Sequence, residues 1–218
     1  MTDFCTKFEL YNYIESMRLS LEIADCHYPL KTKRVSDCFG IKVASVAFQT
    51  PGLRGMAIKG RVPLKDDVIL LNSFRREVDQ NFDCGHEIIH LLRHRRQGAQ
   101  TFQCFEKAKV SQVGFMEWQA NEGAAELIVP YKKFIPLFVE GVSDCYDYFD
   151  YDMLLHELAQ IYNVPKTVIT FRIESLKYEI SQYESNINID DIDVKSRTYQ
   201  RNNAIVVPSY NDKFDYIS

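Results

Sequence analysis

Apolar residues near the start of the chain recur at the spacing of one helix face. Within residues 7–24, Phe8, Tyr11, Ile14 and Leu21 lie on that face, with Glu, Asn, Ser and Arg residues between them. Because an α-helix turns by about 100° per residue, this period predicts an amphipathic helix with one buried side.

Three short segments further along the chain have a different character. Residues 41–49, 53–59 and 68–72 are rich in small, apolar and β-branched side chains, which favour strands. Pro51-Gly52 separates the first two segments and indicates a turn. The pattern therefore predicts a small three-stranded sheet.

A helical period returns after the third segment. Asn72 or Ser73 can cap a helix whose apolar stripe is formed by Phe74, Val78, Phe82, Ile89 and Leu92. A second helix is predicted at about 113–128, and it ends before Pro130, whose ring cannot continue a helix. Residues 97–112 are polar and show no clear period, so they predict a loop.

The last third of the chain predicts a helix pair and a tail. Residues 151–162 and 166–182 have helical patterns, and Asn163-Val164-Pro165 separates them. The pair is typical of an αα-hairpin or a helix-turn-helix-like extension. From about residue 184 the chain is rich in Asn, Asp and Ser, and we expect a loosely attached tail.

These elements place the chain in the α+β class and predict three regions. Residues 1–130 form the domain with the sheet and the first helices, 131–183 form the helical C-terminal subdomain, and 184–218 form the polar tail. No internal repeat divides the chain further.

Composition narrows the function classes. Apolar residues make up 46% of the chain and charged residues 26%, as in ordinary globular proteins. The formal net charge of −4 argues against a general affinity for nucleic acid or anionic membranes. The six cysteines include no C-x-x-C pair, so we expect reduced thiols. No apolar run approaches the length of about 18 residues that a membrane span requires, and we expect a cytoplasmic protein without a membrane partner.

The residues from His86 to His90 read H-E-x-x-H and predict a metal site. On a helix, His86 and His90 lie one turn apart on one face, so both imidazoles can bind one ion, and neutral imidazoles favour Zn²⁺. Glu87 lies beside that face, where its carboxylate can take a proton from a water molecule.

A third ligand is predicted on the second helix. Glu117 and Asn121 lie on one face of it, in the string E-x-x-A-N, and Ala120 and Ala124 are small enough to allow a close approach to the first helix. We therefore expect Glu117 to be the acidic zinc ligand. Asn121, one turn later, is placed to hydrogen-bond a ligand imidazole.

Other readings of these residues remain open. Two histidines one turn apart can be ordinary core or surface residues without a metal, and His94 is interpreted as structural. Cys84, Glu122 and Glu126 point to other faces of their helices and are left out of the site. A structural zinc site is disfavoured, because such sites usually close with four protein ligands.

Three strings resemble the ImmA/IrrE family of metallopeptidases. They are ILLN at residues 69–72, NFDCGHEIIH at 81–90 and EWQANEGAAELIVP at 117–130, of which the last is the most specific. The resemblance extends less sharply to about residue 180, through 157–165 and 172–176.

The resemblance implies a zincin-like fold and a soluble zinc peptidase, often encoded by phages and mobile elements, that relieves repression by cleaving a DNA-binding repressor. It implies that His86, His90 and Glu117 bind zinc and that Glu87 is the catalytic base. Two residues depart from the family pattern. Ile89 replaces a common Gly and Arg93 a common apolar residue, which affects packing and substrate fit rather than the ligands.

The sequence therefore predicts a zinc-dependent endopeptidase. We expect the substrate to add as a strand to an edge of the sheet, around residues 55–59. The alternative is a regulator that binds a repressor or DNA through the C-terminal helices without cutting. Direct nucleic-acid binding is disfavoured, because Lys166, Arg172 and Lys177 lie beside acidic residues on the second helix of the pair.

Overall fold

A computed structural model describes residues 5–60, 66–94, 101–106 and 114–215. By its contacts the chain divides into two units, of which one is formed by Ser16–Ile128 and the other by Phe4–Glu15 with Val129–Ser218. The division into regions ending at residues 130 and 183 stays a prediction.

The first unit contains a four-stranded sheet and the helices that cover it. Its elements are α2 (Thr32–Cys38), β1 (Lys42–Val46), β2 (Leu53–Ile58), β3 (Val68–Asn72), α3 (Glu77–Arg93), β4 (Thr101–Phe105) and α4 (Gly114–Ile128). The first helix of the chain, α1 (Lys7–Ser20), begins in the second unit and ends in the first.

The sheet is mixed, in the order β1-β3-β2-β4. The strand β3 runs parallel to β1, and β2 runs antiparallel to both β3 and β4. The prediction of three strands was wrong, because β4 lies within residues 97–112, where a loop was expected. Strand β2 is an inner strand, so the expected exposed edge around residues 55–59 was wrong as well.

Alternation of side chains explains why β4 forms. Phe102 and Cys104 are buried, whereas Thr101 and Gln103 point outward. This alternation covers only five residues and is flanked by polar residues, so the sequence alone did not indicate a strand. Residues 97–100 and 107–112 of the expected loop lie outside the described residues.

Helix α3 lies on the buried face of the sheet. It begins at Glu77, one turn later than predicted, with Arg76 in the extended capping conformation. Glu77 and Asp79 in its first turn favour this start, because their charges complement the helix dipole. Phe74, predicted to belong to the apolar stripe, is outside the helix and 75% exposed.

Glycine residues allow α3 and α4 to approach closely. A Cβ atom on Gly123 of α4 would lie 3.2 Å from Ile89 Cγ1, and one on Gly85 of α3 would lie 3.0 Å from Ile128 Cδ1. Ile89 is fully buried. Its side chain, which departs from the family pattern, is accommodated because the facing residue on α4 has none.

The second unit is helical. Besides the start of α1 it contains α5 (Tyr131–Ser143), α6 (Tyr148–Tyr162), α7 (Lys166–Glu184), α8 (Arg197–Asn202) and α9 (Tyr210–Asp215). The predicted pair corresponds to α6 and α7. They are joined through Asn163, which has the left-handed conformation that ends many helices. Helix α5 was not predicted.

The segment after α7 is better packed than expected. Ile192 and Val194 are buried, and α9 contacts α7. The tail was expected to be loosely attached because Asn, Asp and Ser dominate its sequence. Its few buried apolar residues are too sparse to give a recognisable pattern. Among the described residues, no helix is both long and apolar enough to cross a membrane.

We predict that Gly123→Val lowers the free energy of unfolding by about 1–3 kcal/mol, as overpacking in a core does. Ile89→Ala in the same chain should restore part of the loss by making room for the valine. Urea denaturation measures both effects. Gly114→Val is the matched control on α4, because no atom of the described residues lies within 4 Å of a Cβ there. Equal stability of the two valine variants would contradict the close approach of α3 and α4.

Candidate metal centre

Helix α3 places three of the predicted residues in the interior of the first unit. His86, Glu87 and His90 are each at most 1% exposed. They lie where the helix passes beneath β2 and β4 and beside α4. The surroundings of these deeply buried groups are formed by α3 itself and by these three elements.

The structure brings the three predicted ligands together. His86 Nε2 lies 3.0 Å from His90 Nε2, and each of these atoms lies 3.4 Å from a different carboxylate oxygen of Glu117. Four ligands at about 2.0–2.1 Å from a tetrahedral zinc ion lie about 3.3 Å from one another. The three donor atoms therefore have the spacing that such an ion requires.

A hydrogen bond from α4 orients the His86 ring. His86 Nδ1 lies 3.0 Å from Asn121 Oδ1. Because that amide oxygen can only accept, Nδ1 carries the proton and donates it. The lone pair of the imidazole is therefore on Nε2, the atom that faces His90.

A longer chain of hydrogen bonds orients His90. Gln119 Oε1 accepts from His94 Nε2 at 2.7 Å, so the other nitrogen of His94 is an acceptor. That nitrogen, Nδ1, lies 2.8 Å from His90 Nδ1, which donates to it. The lone pair of His90 is therefore also on Nε2. From the sequence, His94 was interpreted as structural. Its hydrogen bond with the predicted ligand His90 was not predicted.

The two Nε2 atoms thus face each other at 3.0 Å, an arrangement that requires a proton or a metal ion between them. Burial lowers the pKa of His90 to about 4, so its ring is neutral. Burial also lowers the pKa of His86, but Cys104 and the carboxylates of Glu117 and Glu87 outweigh it and raise that pKa well above its usual value. The negative surroundings favour a divalent ion over a single proton.

Glu117 is charged in this site. Burial raises the pKa of its carboxyl, but the close contacts with the imidazoles of His86 and His90 outweigh it and lower the pKa to about 2. The residue is only partly buried, with 18% of its side chain exposed. A charged carboxylate at the mouth of the site can act as a ligand without being fully removed from water.

Glu87 is the least satisfied polar group of the site. Both carboxylate oxygens are buried and have no hydrogen-bond partner among the described residues. Burial and the charge of Glu117 raise its pKa to about 8, although His86 opposes the shift. A buried acid with so strongly shifted a pKa is typical of a functional group.

Strand β2 covers the Glu87 carboxylate. A Cβ atom on Gly55 would lie 2.9 Å from Glu87 Oε1, so only glycine leaves room there. The neighbouring residue, Arg54, donates from Nε to the fully buried Asp83 of α3 at 2.8 Å. Arg75 also donates to Asp83, at 2.7 Å. The Arg54 ion pair ties β2 to α3 one turn before Glu87, and Arg75 adds a second pair from the segment between β3 and α3.

Strand β4 contributes two side chains to the site. The Phe102 ring stacks on His90, with ring centroids 4.9 Å apart. Cys104 is 2% exposed, and its sulfur lies within 4.8 Å of ligand atoms of His86 and Glu87. Neither residue was predicted to belong to the site, because β4 was expected to be a loop.

The residues left out of the site lie elsewhere. Cys84 Sγ is 3.5 Å from the hydroxyl of Ser36, and burial raises the pKa of this thiol. Glu126 lies 3.5 Å from Arg18, and Glu122 is buried on α4 away from the three donor atoms.

A comparison with known families matches more than half of the chain. The family model Peptidase_M78, described as the IrrE N-terminal-like domain, matches residues 36–174. This range includes every residue of the candidate site. No curated protein matches the chain.

We predict that Gln119→Ala weakens zinc binding by about 10- to 100-fold, the usual effect of removing an outer partner of a ligand. Without the amide oxygen, His94 no longer holds the proton of His90 on Nδ1. Competition with a chelator measures the zinc affinity. Gln160→Ala, on the exposed face of α6, is the control. An unchanged zinc affinity of the Gln119 variant would contradict the role of this chain of hydrogen bonds.

Proposed function

Because the chain belongs to the family of the IrrE N-terminal-like domain, a metallopeptidase family, we propose that it is a zinc-dependent endopeptidase that cleaves a DNA-binding repressor. The observation that carries the proposal is the pair of facing Nε2 atoms of His86 and His90, with Glu117 closing a three-donor set and the unpartnered Glu87 beside it.

We assign His86, His90 and Glu117 as the ligands of Zn²⁺. When bound, zinc polarises the scissile carbonyl and lowers the pKa of a water molecule. Asn121 and His94 hold the ligand imidazoles in the tautomers that direct Nε2 into the site. The partly exposed Glu117 lies on the side from which a substrate reaches the ligands.

Glu87 acts as the general base. Its carboxylate lies beside His86, is buried beneath Gly55, and has both oxygens available to accept the proton of the attacking water. The positive charge of the metal favours the ionised form of Glu87, which burial alone disfavours. The same carboxyl can then return the proton to the leaving amine.

The substrate backbone pairs with β4. This strand forms one end of the sheet and pairs only with β2 among the described strands, so its other edge can accept an extended peptide. Phe102 and Cys104 on its inner face lie over His90 and His86. A peptide along β4 therefore passes the three donor atoms.

The surface of α6 supports a basic partner such as a DNA-binding protein. Asp144 and Asp147 are exposed in the connection from α5 to α6, and Tyr146 and Phe149 beside them are 89% and 70% exposed. Exposed aromatic rings among carboxylates complement a partner that presents basic and apolar groups together. The DNA-binding face of a repressor has that character.

A second candidate function is a regulator that binds DNA through α6 and α7 without proteolysis. The pairing of these helices through a short connection favours it. The basic residues of α7 oppose it. Lys166 lies 2.6 Å from Asp152, Lys177 lies 3.1 Å from Glu174, and Arg172 is fully buried. Binding to random duplex in a gel-shift at low salt would favour this candidate, and no binding would remove it.

We predict that Glu87→Gln retains zinc and reduces cleavage by about 10²- to 10⁴-fold, the usual contribution of a general base. The variant is co-expressed with candidate DNA-binding repressors from the same genome, and mass spectrometry identifies the products. Glu77→Gln, on the exposed first turn of α3, should leave cleavage unchanged. If the Glu87 variant cleaves as fast as the wild type, the assignment of the base is wrong.

We predict that Gly55→Ala also retains zinc but slows cleavage at least tenfold, because its Cβ displaces the Glu87 carboxylate. The same cleavage assay measures the effect, and metal analysis measures the zinc content. Gly114→Ala is the matched control, since a Cβ there lies more than 4 Å from every atom in the part of the chain that the structure describes. Full activity of the Gly55 variant would show that the position of the carboxylate is not constrained from β2.

A further inference from the structure

Cys104 has a position that the proposed reaction does not use. It lies on the inner face of β4, directly opposite Gly55 of β2 in the sheet register. Its thiol is 2% exposed, and its sulfur lies within 4.8 Å of ligand atoms of both His86 and Glu87. The thiol therefore lies next to the space between His86 and Glu87, to which the proposed reaction assigns the attacking water.

A second observation marks the same space. The two oxygens of Glu87 are fully buried, have no hydrogen-bond partner among the described residues, and lie on the side of Cys104. Two sets of donor atoms overlap there, one formed by His86, His90 and Glu117 and the other by His86, Glu87 and Cys104. His86 belongs to both sets, whereas the 4.8 Å set of Cys104 includes neither His90 nor Glu117, so the sulfur lies at the edge of the three-donor site and must turn toward it to bind the same ion.

The chemistry of sulfur makes this contact consequential. A thiolate is among the strongest zinc ligands in proteins, and its sulfur binds at about 2.3 Å. Three protein ligands leave one position for water and substrate, whereas four protein ligands give the closed arrangement of structural sites. A sulfur next to the open position competes with water for it.

We propose that Cys104 is a fourth, displaceable ligand that closes the zinc site of the resting protein. The inference rests on the proposed function and concerns its regulation. On ligation the sulfur binds the ion in place of water, and the thiol proton passes to solvent, as it does whenever a thiol becomes a zinc ligand. When the sulfur leaves, it takes up a proton and water returns.

The location on β4 explains how the ligand can be displaced. Cys104 lies on the strand to which the substrate is proposed to pair, so a bound peptide acts on the backbone that carries the thiol. Glu87 can serve as base only when the sulfur has left the open position. Binding of the correct substrate and opening of the site are thereby coupled.

Cobalt substitution tests the proposal without reference to activity. The full-length protein loaded with Co²⁺ should show a near-ultraviolet sulfur-to-cobalt charge-transfer band, and Cys104→Ser should bind Co²⁺ without the band. Cys84→Ser is the control, because this buried cysteine faces Ser36 rather than the site, and its band should equal that of the wild type. Loss of the band in the Cys84 variant alone would overturn the assignment to Cys104.

X-ray absorption of the zinc-loaded wild type gives a second readout that needs no variant. It should show one sulfur at about 2.3 Å in the absence of substrate. In the repressor cleavage assay, Cys104→Ser should be severalfold faster than the wild type, because the open position is always available.

The outcomes separate this inference from the proposed function. If the wild type binds metal through nitrogen and oxygen only and still cuts the repressor, the inference about Cys104 falls and the peptidase stands. If sulfur is bound but neither the wild type nor the Cys104 variant cuts any repressor, the ligand assignment stands and the substrate is wrong. If Co²⁺ does not bind at all, both are overturned.

Discussion

The direction of two lone pairs is the constraint on which the rest of the site depends. Asn121 fixes the proton of His86 on Nδ1, and Gln119 does the same for His90 through His94. Both Nε2 atoms then face the same space, with 3.0 Å between the two nitrogens, and their lone pairs can bind one ion. A buried donor that loses its partner costs about 1–3 kcal/mol. Breaking either chain of hydrogen bonds therefore affects stability as well as metal affinity.

This constraint explains the close packing of α3 and α4. Asn121, Gln119 and Glu117 all lie on α4, and their side chains reach the histidines only if the two helix backbones are close. The glycines at 85 and 123 permit that approach. On the opposite side of α3, Asp83 holds β2 through Arg54, and β2 in turn covers Glu87. Strand β2 thus positions the proposed base Glu87, whereas α4 positions the proposed ligands.

The part of the site that can be predicted from the sequence depends on how far apart along the chain the contacting residues lie. The spacing of His86, Glu87 and His90 within one helix is a local property, so the periodicity alone places these residues together. Glu117 was found because E-x-x-A-N has a local pattern of its own. The role of these residues in catalysis and metal binding stays a proposal, although the family match shows the class of enzyme.

Long-range contacts could not be read in the same way. Strand β4 forms because it pairs with β2. Its own short sequence is flanked by polar residues and does not indicate a strand, so Cys104 was not placed in the site. His94 continues a helical stripe in the sequence, and only the position of Gln119 makes it a partner of His90. The prediction for Phe74 was wrong for a different reason. Its apolar side chain, just before the start of α3, was assigned to the buried stripe, but it is exposed.

Anomalous diffraction at the zinc edge, from crystals of the zinc-loaded protein, tests the central claim most directly. The account predicts one strong anomalous peak at about 2.0–2.1 Å from Nε2 of His86 and of His90 and about 2.0–2.2 Å from a Glu117 oxygen. A peak bound through either Nδ1 atom, or one that Glu117 does not contact, would contradict it.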